Sequence, residues 1–236
     1  MRKIIVEKIK KDIEPLSNLI GKINQGSAQV NVSGLHGSAR SFLVSLLAKR
    51  LDRPLVVVCP EEKTAAAFAR NIMFLLGEET VFHYPSLDYL TIDMFALQKE
   101  EELIRLEALA NLQVNSKIII VASAAALAQK IMPVDQFNQY LQIISVGDAL
   151  NRDEFCTRLV SQGYKRESLV EEKGEFSVRG NIIDIFPPAE KNPLRLEMFG
   201  DDIESIRTFD ASSQRSTGTS SAFIVSPASE VISNSS

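Results

Sequence analysis

Three short runs rich in Val and Ile, residues 28–32, 55–59 and 117–122, constrain the first half of the chain most strongly, because each is separated from the next by a helical period. Short apolar runs of this kind suit buried parallel strands. Between them, residues 41–51 set Phe42, Leu43, Leu46 and Leu47 on one helical face, and residues 61–76 are Ala-rich with Phe68, Ile72 and Leu75. Residues 101–112 then repeat Leu103, Leu106, Leu109 and Leu112. A strand that hands over to a helix again and again predicts an α/β fold with a doubly wound parallel sheet. Pro60, Pro85 and Pro133 punctuate the handovers.

After Pro133 the texture changes. Asn151 followed by Glu154 reads as a helix start, Phe155, Leu159 and Val160 form the apolar stripe, and Gly163 stops it. From Gly174 onward strands dominate, and Gly200-Asp201-Asp202 between residues 194–199 and 203–207 is a hairpin signal. These signals predict three segments: 1–131 as the first part of a parallel-sheet domain, 132–210 as a smaller inserted α+β domain, and 211–236 as a return to the first domain. The last segment is rich in Ser and Thr, contains one apolar run at 222–225, and reads as a boundary inside a longer protein.

Composition narrows the function classes. With 236 residues, 45% hydrophobic and 24% charged, the chain has an ordinary globular balance, and no apolar run approaches the roughly 20 residues that span a bilayer. The start lacks the apolar core of a signal peptide, so a soluble cytoplasmic protein without a membrane partner is expected. Cys59 and Cys156 have no metal-ligand spacing and suit buried thiols. A net charge of -4 argues against a broad basic surface for duplex DNA.

One loop invites a nucleotide reading. Gly34-Leu35-His36-Gly37-Ser38-Ala39-Arg40-Ser41 follows the 28–32 run and opens a helix, where a phosphate cradle of the form G-x-x-x-x-G-K-[ST] would sit. Ala39 and Arg40 stand where that cradle needs Gly and Lys, and the planar guanidinium does not replace a compact ammonium at a packed phosphate site. No acidic pair closes an apolar strand to hold magnesium. Gly34 and Gly37 serve a tight turn on one reading; on the other, the N–H groups of the helix start bind a phosphate weakly without catalysis. His36 and His83 lie apart from any acid-rich or thiol-rich cluster, so neither a metal site nor a catalytic residue is assigned.

The stretch from Gly174 to Pro188 is more idiosyncratic. Glu175, Ser177 and Arg179 alternate with Phe176 and Val178, which directs Arg179 away from the core and makes Phe176 and Phe186 core residues. An acidic residue and Phe, then Arg-Gly, then an Ile-rich strand carrying Asp184 and closed by Phe-Pro, resembles the small inserted domain shared by UvrB and the transcription-repair coupling factors. The decayed loop, the segment from Pro85 to Leu90, the Leu-striped helix and the 118–122 run leading into Leu127-Ala128-Gln129-Lys130 extend the resemblance over nearly the whole chain. UvrB keeps an intact Gly-Lys-Thr loop and a Tyr-rich hairpin. This chain has neither, since Tyr84 and Tyr89 are isolated and the segment between Phe82 and Lys99 is too short.

The resemblance implies a degenerate P-loop domain of the RecA and helicase kind with an inserted domain that docks UvrA, catalytically silent and without a cofactor of its own. In the coupling-factor family, ATP and magnesium serve a downstream DNA translocase, and RNA polymerase, double-stranded DNA and contacts with downstream domains belong to the full-length protein. The UvrA contact is expected at Lys165, Arg166, Glu175 and Arg179. The plain chemical alternative is that these basic groups form exposed ion pairs with Glu171, Glu172 and Glu175. As functions, an active ATP-dependent helicase or a damage-binding DNA module of the UvrB kind are the alternatives.

Overall fold

The computed structural model describes residues 14–87 and 95–231. The first eight residues, Asp88-Tyr89-Leu90 and the final Ser233-Asn234-Ser235-Ser236 therefore lie outside the described residues. The fold is mixed α/β, with parallel and antiparallel sheets, and divides into two compact units. One comprises the described residues up to Ser86 with Val114–Gln129; the other comprises Leu87–Gln113 and the described residues from Lys130 onward.

The first unit holds α1 (Glu14–Asn24), α2 (Ala39–Arg50), β1 (Leu55–Cys59), α3 (Glu62–Leu76), β2 (Val81–Tyr84), β3 (Ile119–Ser123) and α5 (Ala124–Ala128), whereas α4 (Phe95–Val114), between β2 and β3 in sequence, falls up to Gln113 in the second unit. Its sheet is parallel, in the order β1-β3-β2. Ala65, Ala69 and Ile72 of α3 and Val44 and Ala48 of α2 pack on Val81, Ile119, Val121 and Cys59. Small Ala side chains let α3 approach the sheet closely, and both helices use the same face, while Val56 and Val58 of β1 stay exposed on the other. The helical expectations hold within a few residues, but the strand expected at 28–32 does not form. Those residues are unpaired and Val32 is exposed, because an apolar run becomes a buried strand only where neighbours satisfy its backbone and cover its side chains.

The second unit adds α6 (Val134–Tyr140), β4 (Gln142–Ser145), α7 (Arg152–Ser161), β5 (Lys165–Arg166), β6 (Glu175–Arg179), β7 (Ile182–Ile185), β8 (Leu194–Phe199), β9 (Asp202–Phe209), β10 (Ser216–Ser220) and β11 (Ala222–Val225). Six strands run in the order β10-β9-β8-β7-β6-β5, antiparallel except for the β5–β6 pair. The two-residue loops Gly180-Asn181 and Gly200-Asp201 each place a glycine first at positive φ, 58° and 62°, which suits the right-handed twist of a hairpin. On one face Phe176, Ile183, Ile185, Leu194, Leu196 and Ile206 meet Phe155 and Leu159 of α7, and Phe223 and Val225 of β11 join the same core. The 211–236 tail, expected to return to the first domain, pairs here instead: β11 lies antiparallel to β4.

Two local devices set α7. The Asn151 side chain accepts from the Asp153 and Glu154 N–H groups, both at 3.1 Å, and so caps the helix. Gly163 ends it at φ 90°, where an added Cβ would lie 2.7 Å from the Ser229 Cβ. Gly163→Ala therefore meets backbone strain and a clash together, and is expected to lower the stability of this unit by about 1–3 kcal/mol. Urea denaturation followed by the near-ultraviolet signal of Tyr164 and its neighbours checks this, and an unchanged midpoint would refute it.

Candidate partner-binding face

Strand alternation divides the expected contact residues between the two sides of the sheet. Glu175, Ser177 and Arg179 of β6 share the face opposite α7, and the parallel register sets Lys165 beside Glu175 on that side. Arg166 pairs instead with Phe176, on the α7 side. The thiol of Cys156 on α7 reports the same placement: burial pushes its pKa up while the Arg166 and Arg152 charges oppose this. Lys165 and Arg166 are both exposed on a two-residue edge strand. Arg152 reaches the β6–β7 loop, where its Nη1 donates to the Gly180 carbonyl at 3.2 Å.

The alternation of β6 is less complete than its sequence suggests. Phe176 is fully buried, as expected, but Ser177 is buried too, and its hydroxyl donates to the Ser168 carbonyl at 3.1 Å. Phe186 is also buried, with Val170 and Phe209, on the face opposite α7. Glu175 is turned to internal use, since its Oε2 accepts the Glu171 and Glu172 N–H groups at 2.9 Å each.

Arg179 pairs with none of the glutamates near it in sequence. Its Nη2 donates to Oδ2 of Asp184, whose side chain is only 1% exposed. The same carboxylate accepts from Arg195 through Nε at 2.7 Å and Nη2 at 2.9 Å, and the Arg195 guanidinium lies 4.8 Å from the centre of the Phe209 ring. Hydrogen bonding to Asp184 raises the Arg195 pKa further above its ordinary value. Sequence reasoning missed Asp184 and Arg195 because the group forms across strands: Ser177 pairs with Asp184, and Asp184 with Arg195. The available signal was an Asp inside an otherwise apolar strand, since a buried acid requires a cation.

In the first unit, the expected loop takes positive φ at Gly34 and Gly37, and α2 begins at Ala39 without a side-chain cap from Ser38. Arg40 Nε donates back to the Leu35 carbonyl at 3.4 Å, and Ser41 is buried in the first turn of α2. A different polar group, not anticipated from sequence, gathers at the carboxyl ends of β2 and β3. Glu62 Oε2 accepts the Ser123 hydroxyl at 2.8 Å and the Ser86 hydroxyl and N–H at 3.0 and 3.1 Å, while His83 Nε2 lies 2.8 Å from Oε1. Burial alone would raise the Glu62 pKa, but the Ser123 and Ser86 hydrogen bonds and the His83 charge outweigh it and hold the carboxyl below its ordinary range. The two hydroxyls donate to the carboxylate and not to the imidazole, so the arrangement ties the ends of β2 and β3 to the start of α3.

Among the described residues, no group of His, Cys, Asp and Glu is arranged to hold a metal ion, and no helix is long and apolar enough to cross a membrane.

Comparison with known proteins places the second unit. Residues 143–231 match the family described as the UvrB interaction domain. The whole chain is also similar to the transcription-repair-coupling factors of Bacillus subtilis, 32% identical over 222 residues, and Myxococcus xanthus, 35% identical over 225 residues. These matches cover 94% and 92% of the chain but 19% of each relative, so the chain spans about a fifth of their length. The factor of Staphylococcus aureus strain USA300 is 30% identical over 207 residues, 88% of this chain and 18% of the relative. The expectation of a module from the repair-coupling family thus holds.

Because the Glu62 carboxyl is depressed in the folded state, its contribution to stability is fully present above the ordinary glutamate pKa of about 4.3 and is lost as pH falls from there toward the folded value. Glu62→Gln should therefore be less stable than the wild type at pH 7, with the gap closing below about pH 4. Thermal melts across pH 3–7 check the sign; a gap that widens on acidification would contradict it.

Proposed function

We propose that the chain is a protein-recruiting module of a transcription-repair coupling factor, in which the UvrB interaction domain docks UvrA through Lys165, Arg166 and Arg179. The observation that carries this reading is the family match over residues 143–231, within which all three basic groups fall. Lys165 and Arg166 lie exposed on an edge strand and Arg179 is 45% exposed, so their cationic groups remain accessible to an acidic partner. Glu175 acts indirectly: it holds the turn at Glu171 and Glu172 that precedes the Arg179 strand. The first unit is then the remnant of a P-loop domain, without nucleotide turnover. The unpaired residues 28–32, and Arg40 turned back on its own loop, favour this over an active hydrolase. In the longer relatives, removal of RNA polymerase by an ATP- and magnesium-dependent motor on double-stranded DNA would fall to other parts of the protein.

Calorimetry with purified UvrA tests the reading. Wild type should bind, and Arg179→Ala should weaken binding by roughly 2 kcal/mol, about 30-fold, as for a central interface arginine. Lys165→Ala and Arg166→Ala report separately on the two faces of the sheet. No binding by the folded wild type would end the recruitment reading, and ATP hydrolysis by the purified chain would replace silence with activity.

A further inference from the structure

We infer that Asp184 is the positioning residue of the partner contact: clamped by Arg195, it presents the Arg179 guanidinium preorganised for a carboxylate on an acidic protein surface. This rests on the proposal that Arg179 meets UvrA. Two guanidinium groups share one carboxylate, so one unit of positive charge is left unmatched within this group. That charge resides on Arg179. Arg195 has spent both Nε and Nη2 on Asp184, is stacked on Phe209 and is 18% exposed, whereas Arg179 gives only Nη2 to Asp184 and is 45% exposed. Among the described residues, Nε and Nη1 of Arg179 donate to no protein acceptor. Nη2 also carries a second hydrogen, which with the neighbouring free N–H of Nε or Nη1 forms an open edge of the guanidinium fork that matches a carboxylate bidentately.

The order of dependence runs inward. Phe209 and the bidentate bond fix Arg195, Arg195 fixes the buried Asp184, and Asp184 fixes Arg179. An arginine on a free surface loses rotamer entropy when it docks, while one already held by a buried carboxylate has lost much of it in folding. The other charged pair on this face, Arg207 with Glu197 at 3.2 Å, is internally balanced and adds no unmatched charge.

The test is a double-mutant cycle in UvrA affinity on the intact chain, with Arg179→Ala, Asp184→Asn and the double variant. Positioning predicts that Asp184→Asn weakens binding about tenfold when Arg179 is present and less than about twofold when it is absent. An equal loss in both backgrounds would overturn the inference and leave Asp184 with a structural role only. If wild type binds and Arg179→Ala changes nothing, the inference fails together with the placement of the contact; if wild type does not bind, the recruitment reading fails first. Should Asp184→Asn not fold, side-chain relaxation of the Nε–H groups in the free wild type decides. Positioning requires Arg179 to be nearly as ordered as Arg195, and a freely mobile Arg179 would overturn it.

Discussion

A buried carboxylate must find cations, and Asp184 imposes that requirement on one whole side of the six-stranded sheet. Left unpaired, the charge would cost several kcal/mol in the interior. The strand register resolves this by setting Arg195 directly opposite on β8 and Arg179 within reach across the hairpin. The α7 side of the same strands follows the simpler rule of apolar burial, with Phe176, Ile183 and Leu196 under Phe155 and Leu159. One sheet thus combines an apolar face that supplies stability with a charged face whose side chains are constrained in direction. Recognition of another protein needs both, because a charged group directs binding only when the backbone beneath it does not move.

Much of this was legible in sequence where the signal is local. Asn151 as a cap, Gly163 as a stop, the glycine-led loop after Phe199 and the Leu stripe of α4 each depend on residues within one or two turns of each other. Leu103 and Leu106 of that stripe are buried as its period requires. What escaped is what the fold brings together from afar. Glu62, His83, Ser86 and Ser123 span more than sixty positions and meet because parallel strands end side by side. Arg179 was set among Glu171, Glu172 and Glu175 by proximity in sequence, whereas antiparallel pairing offered it Asp184.

The residues at 28–32 fail for a related reason. Their Val-rich composition satisfies the side-chain preference of a strand but says nothing about whether a neighbouring strand is available to bond the backbone. The same limit applies to Ser177: alternation alone exposes it, yet the Ser168 carbonyl covers it from a loop that strand periodicity does not describe.

The two polar groups also differ in what their geometry leaves free. At Glu62, one carboxylate oxygen takes three donors and the other lies against His83, so the carboxylate is engaged within the first unit and the result is a clamp. At Asp184, the carboxylate is likewise consumed, but the count of charges is unequal, and the excess falls on the donor nearest solvent. A balanced network stabilises only the chain that contains it. An unbalanced one, fixed in direction and left with unused donors, has a physical reason to engage another molecule, which is why the recruitment reading is built on the second unit.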